Sequence, residues 1–547
     1  MSEFRAYAGH CKLYHFYIDC LSNRIPMLPR ASMDSNKTKS PYTPTLAIPL
    51  VMAAMKLLLH LVTNLLGGYG YFRDELYYLA CAENLDLGYV DQPPLSLYIL
   101  AVWRLLVGDS LFALRLLPAM VGAATVFVAG LMTRALGGGR MAQLLACLAT
   151  LVSPIFLAMN SFYSMNAFDI LLWAVAAYTV IRLLQTGNEQ YWLALGIVLG
   201  LGLLNKIGIS WFALGIGAGM LLTNQRGWFR TRWPYLAGSL ALLLFIPYII
   251  WNFTHEFAHV EFVTNAMANK YADLSPITFT VGQFLVSNPV TAVLWLAGLY
   301  FLLFSSEGKV YRPLGIAYLV AFGILVVIQH SKPEYLSPAY TILFAAGGVL
   351  VEKLSARPWF KLLPRVYFGI LICGLVLAPA TLPILPVETY IRYADAIGIK
   401  PHTSEGKDLA ELPQFYADMF GWEEKAEAVA RVFQNLPPDE QSRCAIFADN
   451  YGRSAAIDFF RKKLGLPRAI GRHNNYWIWG PRSSSGEIVI ILGGDLEDKK
   501  ELFESVAVVG EISCQYCMPY ENHLKIYLCR KLRVPLADLW PRLKQYD

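Results

Sequence analysis

From Leu46 to Pro383 the chain is a succession of apolar runs, most of roughly 16 to 24 residues, separated by short charged or Gly- and Pro-bearing segments. At ~1.5 Å per helical residue, such a run crosses the ~30 Å of hydrocarbon in a bilayer. A water-soluble core would bury one helix of that character, not a series. With 56% hydrophobic and only 16% charged residues over 547, the chain has too little polar surface for water to be its main solvent. The formal net charge of +6 does not point to nucleic acid. Its Lys and Arg sit in short clusters between apolar runs, where anionic lipid and the positive-inside bias account for them.

Those clusters set a topology. The Pro93 to Val107 segment is short, begins Pro-Pro and carries Arg104 at its middle, so it reads as an amphipathic helix lying on the membrane surface. With it set aside, spans are expected near 46–66, 112–134, 141–159, 168–184, 191–204, 208–223, 233–251, 289–305, 314–328, 335–352 and 366–383, roughly eleven by length. Arg134 and Arg140, Arg226, Arg230 and Arg232, Lys309 and Arg312, and Lys353 to Arg365 then fall on one face, which the positive-inside rule makes cytoplasmic. The opposite face receives 67–110, 160–167, the turn at Lys206, 252–288, 330–334 and everything after Leu385.

Residues 1–43 are basic and lack the apolar core of a signal peptide, so they read as a disordered tail ahead of a membrane domain over 44–383. In 384–547 charge and Pro rise, and strand-like runs (Cys444-Ala-Ile-Phe-Ala, Glu487-Ile-Val-Ile-Ile-Leu) alternate with helical ones (Ser454 to Leu464, Leu496 to Val506). This alternation predicts a soluble extracytoplasmic α/β domain. The fold class is therefore an all-α polytopic membrane protein with a C-terminal soluble α/β domain. Cys147 and Cys373 read as small buried hydrophobes; Cys514 and Cys517 favour a disulfide over a metal, because a second ligand pair is lacking.

Ionisable groups at membrane depth are costly and mark function by default. Asp74 and Glu75 follow the first span and open a helical stretch, which places carboxylates at the rim of the hydrocarbon. Asp169 lies at the outer mouth of a span, where an ionised carboxylate needs a partner or water. Lys206 and Lys332 sit at outer span ends, although snorkelling to the interface accounts equally for a lone Lys there. Acidic and basic groups facing one outer cavity suit a substrate with a phosphate head and an apolar tail. For sugar transfer from such a lipid, one carboxylate takes the acceptor's proton while cations or a metal stabilise the departing phosphate.

Asp74-Glu75, the later Asp91-Gln-Pro-Pro-Leu95 and Asp169 together resemble the polyprenyl-phosphate-sugar-dependent membrane glycosyltransferases of the GT-C fold, a family that includes protein O-mannosyltransferases and lipid A aminoarabinose transferases. The resemblance covers about 46–352 and extends to Leu204-Asn-Lys206, with Asn205 where Thr is usual, and to Lys332-Pro-Glu-Tyr335. It implies Asp74 as the acceptor-activating base, and Glu75, Asp169, Lys206, Lys332 and Tyr335 as substrate-binding residues. It also admits a divalent metal: Asp91 and His259 fall where aminoarabinose transferases place metal ligands, with Gln92 replacing a Lys. Stretches 450–457 and 473–480 resemble the C-terminal domain of a bacterial subset, and packing explains their aromatics as well as sugar binding does.

The expected function is transfer of a hexose or pentose, with inversion, from a polyprenyl-phosphate carrier to a hydroxyl of an envelope lipid, glycan or protein. The expected setting is the periplasmic or exoplasmic face of a bacterial plasma membrane. A transporter or flippase of lipid-linked sugars is the alternative; it calls for gates at both faces and charges near the midplane, whereas these lie at outer span ends.

Overall fold

A computed structural model of the protein describes residues 46–270, 273–401, 403 and 407–547, so the expected N-terminal tail lies outside the described residues. Among the described residues seven helices are long and apolar enough to cross a membrane: Ala47–Leu66, Leu111–Ala135, Met165–Thr186, Trp233–Thr254, Gly308–Ile328, Pro333–Leu354 and Pro358–Ala380. Shorter apolar helices at Arg140–Val152, Gln190–Asn205 and Ile209–Leu221 occupy three further stretches expected as spans.

The region 252–288, expected as one outer loop, instead carries two helices, Ala258–Asn269 and Pro276–Ser287. The second lacks any charged residue and forms a bent apolar pair with 289–304, turning by 92°. Asn288 sits at the bend with φ of 77°, and its buried Nδ2 donates to the Val152 and Gly374 carbonyls. That satisfies backbone groups which a break in a membrane helix would otherwise leave bare.

The Arg73–Glu83 helix forms as expected. Its third residue, Glu75, accepts from the Phe72 amide at 2.9 Å, closing a capping arrangement at the N-terminus. The Leu95–Val107 helix follows Pro93-Pro94 and buries Leu97 and Leu100 while exposing Leu105 and Leu106. Arg104 on it donates to Glu83, Asp109 and the Leu79 carbonyl, which pins the two short helices together.

The C-terminal region carries a five-stranded mixed sheet in the order β2-β1-β3-β5-β4, with β1 Cys444–Ala448, β2 Ala469–Gly471, β3 Ile488–Leu492, β4 Phe503–Ile512 and β5 Leu524–Leu532. Strands β2, β1 and β3 are parallel, and β5 is antiparallel to both β3 and β4. The helix expected over Leu496 to Val506 stops at Leu502, and Phe503 starts β4, where the β-branched and apolar run takes over. Cys514 and Cys517 form a disulfide.

Strand alternation gives the sheet two cores. Ala445, Val489, Tyr527 and Cys529 pack with Phe503 and Trp540 on one face. Ile446, Ala448, Ile488, Ile490, Ile526 and Leu528 point the other way, into a cluster that also holds Leu76, Tyr77, Leu79 and Tyr89 of the first outer loop and Tyr163. One continuous apolar core therefore joins the C-terminal sheet to the segment that carries Asp74.

Candidate active site

The backbone of 160–167 gathers the predicted residues. Tyr163 donates its amide to Glu75 Oε1 at 2.9 Å and its hydroxyl to the Ser96 carbonyl. The Met165 amide donates to the Tyr78 hydroxyl, and its carbonyl accepts from Asn205 Nδ2 at 2.9 Å. Asn166 Oδ1 accepts from Lys206 Nζ at 2.7 Å. One turn thus touches the helix of Asp74 on one side and the helix end of Lys206 on the other.

On the Lys206 side the expected cations and Asp169 come together. Asp169 is buried, and Lys206 lies close enough to feel its charge and those of Glu334 and Lys332. Lys206 Nζ stands 4.9 Å from the centroid of the Tyr335 ring, an approach that favours a cation over an aromatic face. Pro333 opens the 3₁₀ turn that delivers Glu334 and Tyr335. Two ammonium groups, a phenol ring and a buried carboxylate thus lie within electrostatic reach of one another, a set of groups with the charge to meet an anion.

On the other side lie Asp74 and Asp91. The Asp74 side chain is 35% exposed, with Arg73 Nε 3.5 Å away. Its Oδ1 accepts a 2.9 Å hydrogen bond from the Tyr451 hydroxyl. Asp91 accepts from the Tyr77 hydroxyl at 3.2 Å, and Tyr77 in turn meets Asn475 of the C-terminal region. Burial, reinforced by the charge of Asp74, pushes the Asp91 carboxyl up to about 6 against the opposing pull of Tyr77 and Lys270. Lys270, Tyr451 and Asn475 belong to this side of the site and were not singled out by sequence. Only Asn450-Tyr-Gly-Arg and His473-Asn-Asn hinted at the last two; Lys270 carries no local motif.

Glu75 has different surroundings from those expected of a substrate ligand. It is fully buried and accepts from Arg115 Nε and Nη2, from the Phe72 amide and from the Tyr163 amide. Its oxygens are saturated inside the protein, and it acts as the tie between the first outer helix, the Leu111–Ala135 span and the 160–167 turn. Removing one partner of such a buried pair costs about 3–5 kcal/mol.

His259 and Asp91 meet around Val90. The His259 Nδ1 lies 3.0 Å from the Val90 carbonyl, which can only accept, so Nδ1 carries the proton and Nε2 presents its lone pair. Burial holds the imidazole below its ordinary value, which keeps it neutral and able to ligate. Yet among the described residues no group of three or more His, Cys, Asp or Glu could hold a metal ion. A catalytic zinc takes three protein ligands, so this donor pair does not fit one.

Residues 91–251 match the model of the dolichyl-phosphate-mannose-protein mannosyltransferase family. Over 232 residues the chain is 26% identical to a lipid A galacturonosyltransferase, RgtD, of Rhizobium johnstonii, an alignment covering 41% of this chain and 48% of that protein. The chain thus spans about half the length of that curated relative. Its fold is similar to that of ArnT from Cupriavidus metallidurans, solved with undecaprenyl phosphate, with a TM-score of 0.60 at 14% identity over 87% of this chain and 97% of that one. It is also similar to the arabinofuranosyltransferase AftD from Mycobacteria, with a TM-score of 0.51 at 14% identity over 90% of this chain and 41% of that one.

Proposed function

On the premise that the chain belongs with the membrane glycosyltransferases of the GT-C fold, we propose that it transfers a monosaccharide from a polyprenyl-phosphate carrier to a hydroxyl of an envelope lipid, glycan or protein. The reaction takes place at the extracytoplasmic face of a bacterial plasma membrane. The observation that carries this reading is the pairing of a carboxylate side with a cationic side around one turn: Asp74 and Asp91 against Lys206, Lys332 and Tyr335.

Asp74 receives the proton of the acceptor hydroxyl as that oxygen bonds to the anomeric carbon. The bond from that carbon to the carrier phosphate breaks, and its electron pair stays on the phosphate oxygen. Lys206 and Lys332 meet the charge that develops there, so the leaving group needs no acid. Attack from the face opposite the phosphate inverts the anomeric centre. Asn166 Oδ1, 2.7 Å from Lys206 Nζ, holds the ammonium in place, and the charge of Asp169 adds to its electrostatic surroundings. A lipid A galacturonosyltransferase among the relatives supports a lipid-linked glycan as acceptor.

The test is transfer by purified protein in detergent, with a radiolabelled polyprenyl-phosphate sugar and extracted envelope lipids as acceptor. The reading expects labelled product without any sealed compartment. A protein that moves the labelled lipid across proteoliposomes but forms no product would instead be a transporter.

A further inference from the structure

The Tyr451–Leu464 helix brings a residue of the C-terminal region onto the base. Tyr451 is 8% exposed, and its hydroxyl donates to Asp74 Oδ1 at 2.9 Å. Its ring lies 4.8 Å from that of Tyr77 and 4.9 Å from that of His473, centroid to centroid. The Arg73 guanidinium stands 5.4 Å, and the Lys270 ammonium 5.9 Å, from the same ring. Few rotamers remain to a phenol held on so many sides.

The helix that carries it is fixed by a buried ionic group. Asn450 caps it, accepting from the Arg453 amide at 2.9 Å, and Asn450 also donates to Glu521. Arg453 meets Glu521 at 3.0 Å and Asp449 at 2.6 Å, and Lys425 lies 3.5 Å from Glu521. At Gly452 an added Cβ would come within 2.7 Å of Arg73 Cγ, so the helix start lies directly against the first outer helix. Sheet, ionic group and shared core therefore all hold one hydroxyl against one oxygen of Asp74.

We propose that Tyr451 is a positioning residue for the base, so that the C-terminal domain is part of the catalytic centre. This rests on the reading of Asp74 as the base. A carboxylate tied through one oxygen no longer swings about its χ2 and offers the other oxygen in a fixed direction to the acceptor hydroxyl. Tyr451 exchanges no proton: the acceptor's proton passes to Asp74, and the phenol keeps its own throughout. Misplacing a reacting group by about 1 Å costs up to roughly 100-fold in rate.

The experiment uses the full-length protein in the detergent transfer assay, with Tyr451→Phe, Tyr451→4-aminophenylalanine, Tyr451→4-methoxyphenylalanine and Asp74→Asn. Binding of undecaprenyl phosphate and the thermal midpoint are followed in parallel. Tyr451→Phe is expected to lower kcat by roughly 10- to 100-fold while the donor KM, undecaprenyl phosphate binding and the midpoint hold. The amino variant, which can still donate, recovers rate; the methoxy variant, which cannot, does not. A wild-type kcat in Tyr451→Phe, or equal loss in both substituted rings, overturns the proposal. So does a Tyr451→Phe protein whose midpoint falls and whose amino counterpart stays slow. An active Asp74→Asn removes the base itself and the proposal with it, an outcome distinct from an inactive Asp74→Asn beside a fully active Tyr451→Phe.

Discussion

Asp74 and Glu75 are neighbours in sequence with opposite fates, and the helix explains why. Successive residues point about 100° apart on a helix, so one carboxylate faces Arg115 in the interior while the next stands at the rim with 35% of its side chain in contact with solvent. Sequence identified the pair as important but could not separate the roles, because Arg115 lies 40 positions away with no motif linking it to Glu75. Asp91 makes a prediction of its own. Its carboxyl is raised to about 6, mainly by burial, so between about pH 4 and 6 the folded protein holds the proton more tightly than the unfolded chain does. Stability therefore declines as pH rises through that window. Asp91→Asn, which cannot ionise, should flatten the decline and raise the midpoint near neutrality; thermal melts of detergent-purified protein from pH 4 to 7 check this. Parallel curves for the two proteins would show that Asp91 does not titrate there.

Elements were legible where one pattern ruled them. The Arg73–Glu83 and Leu95–Val107 helices, β1 and β3 lie where periodicity and β-branched content placed them. Of the bent pair at 276–304, the second half was read as a span, but Pro276–Ser287 was missed because at 12 residues it is too short to cross a bilayer alone and the break at Asn288 separates it from its partner. Strand β4 was missed for a related reason: Leu496 to Leu502 has helical composition, and nothing in its charge warns of the change at Phe503. The contact between the Arg73–Glu83 and Tyr451–Leu464 helices supplies a test at this scale. With Arg73 Cγ and Trp422 Cη2 at 2.7 and 3.0 Å from a Cβ at Gly452, the helices meet with no room for a side chain. Gly452→Val should force them apart, lowering the thermal midpoint and kcat together, by about 1–3 kcal/mol of overpacking. An unchanged midpoint would mean that the two helices are not held at this separation.

Across the whole molecule, the spacing of apolar runs revealed a polytopic membrane protein, and the charge clusters assigned the candidate residues to one face. What sequence could not reveal is how far the C-terminal sheet enters the site. Its inward face shares a core with Leu76, Tyr77 and Tyr163, and Tyr451 reaches Asp74 across 377 positions of chain. Contacts of that separation leave no local signature, whereas the cationic corner of Lys206, Lys332 and Tyr335 was visible because each member sits in a short motif at a span end. The account turns on Asp74 acting as a base within a site whose lipid-binding half works independently. Measuring sugar transfer and undecaprenyl phosphate binding side by side in Asp74→Asn tests it most directly. The account predicts a loss of kcat of at least about 100-fold with carrier binding and folding intact. Transfer at the wild-type rate would contradict it.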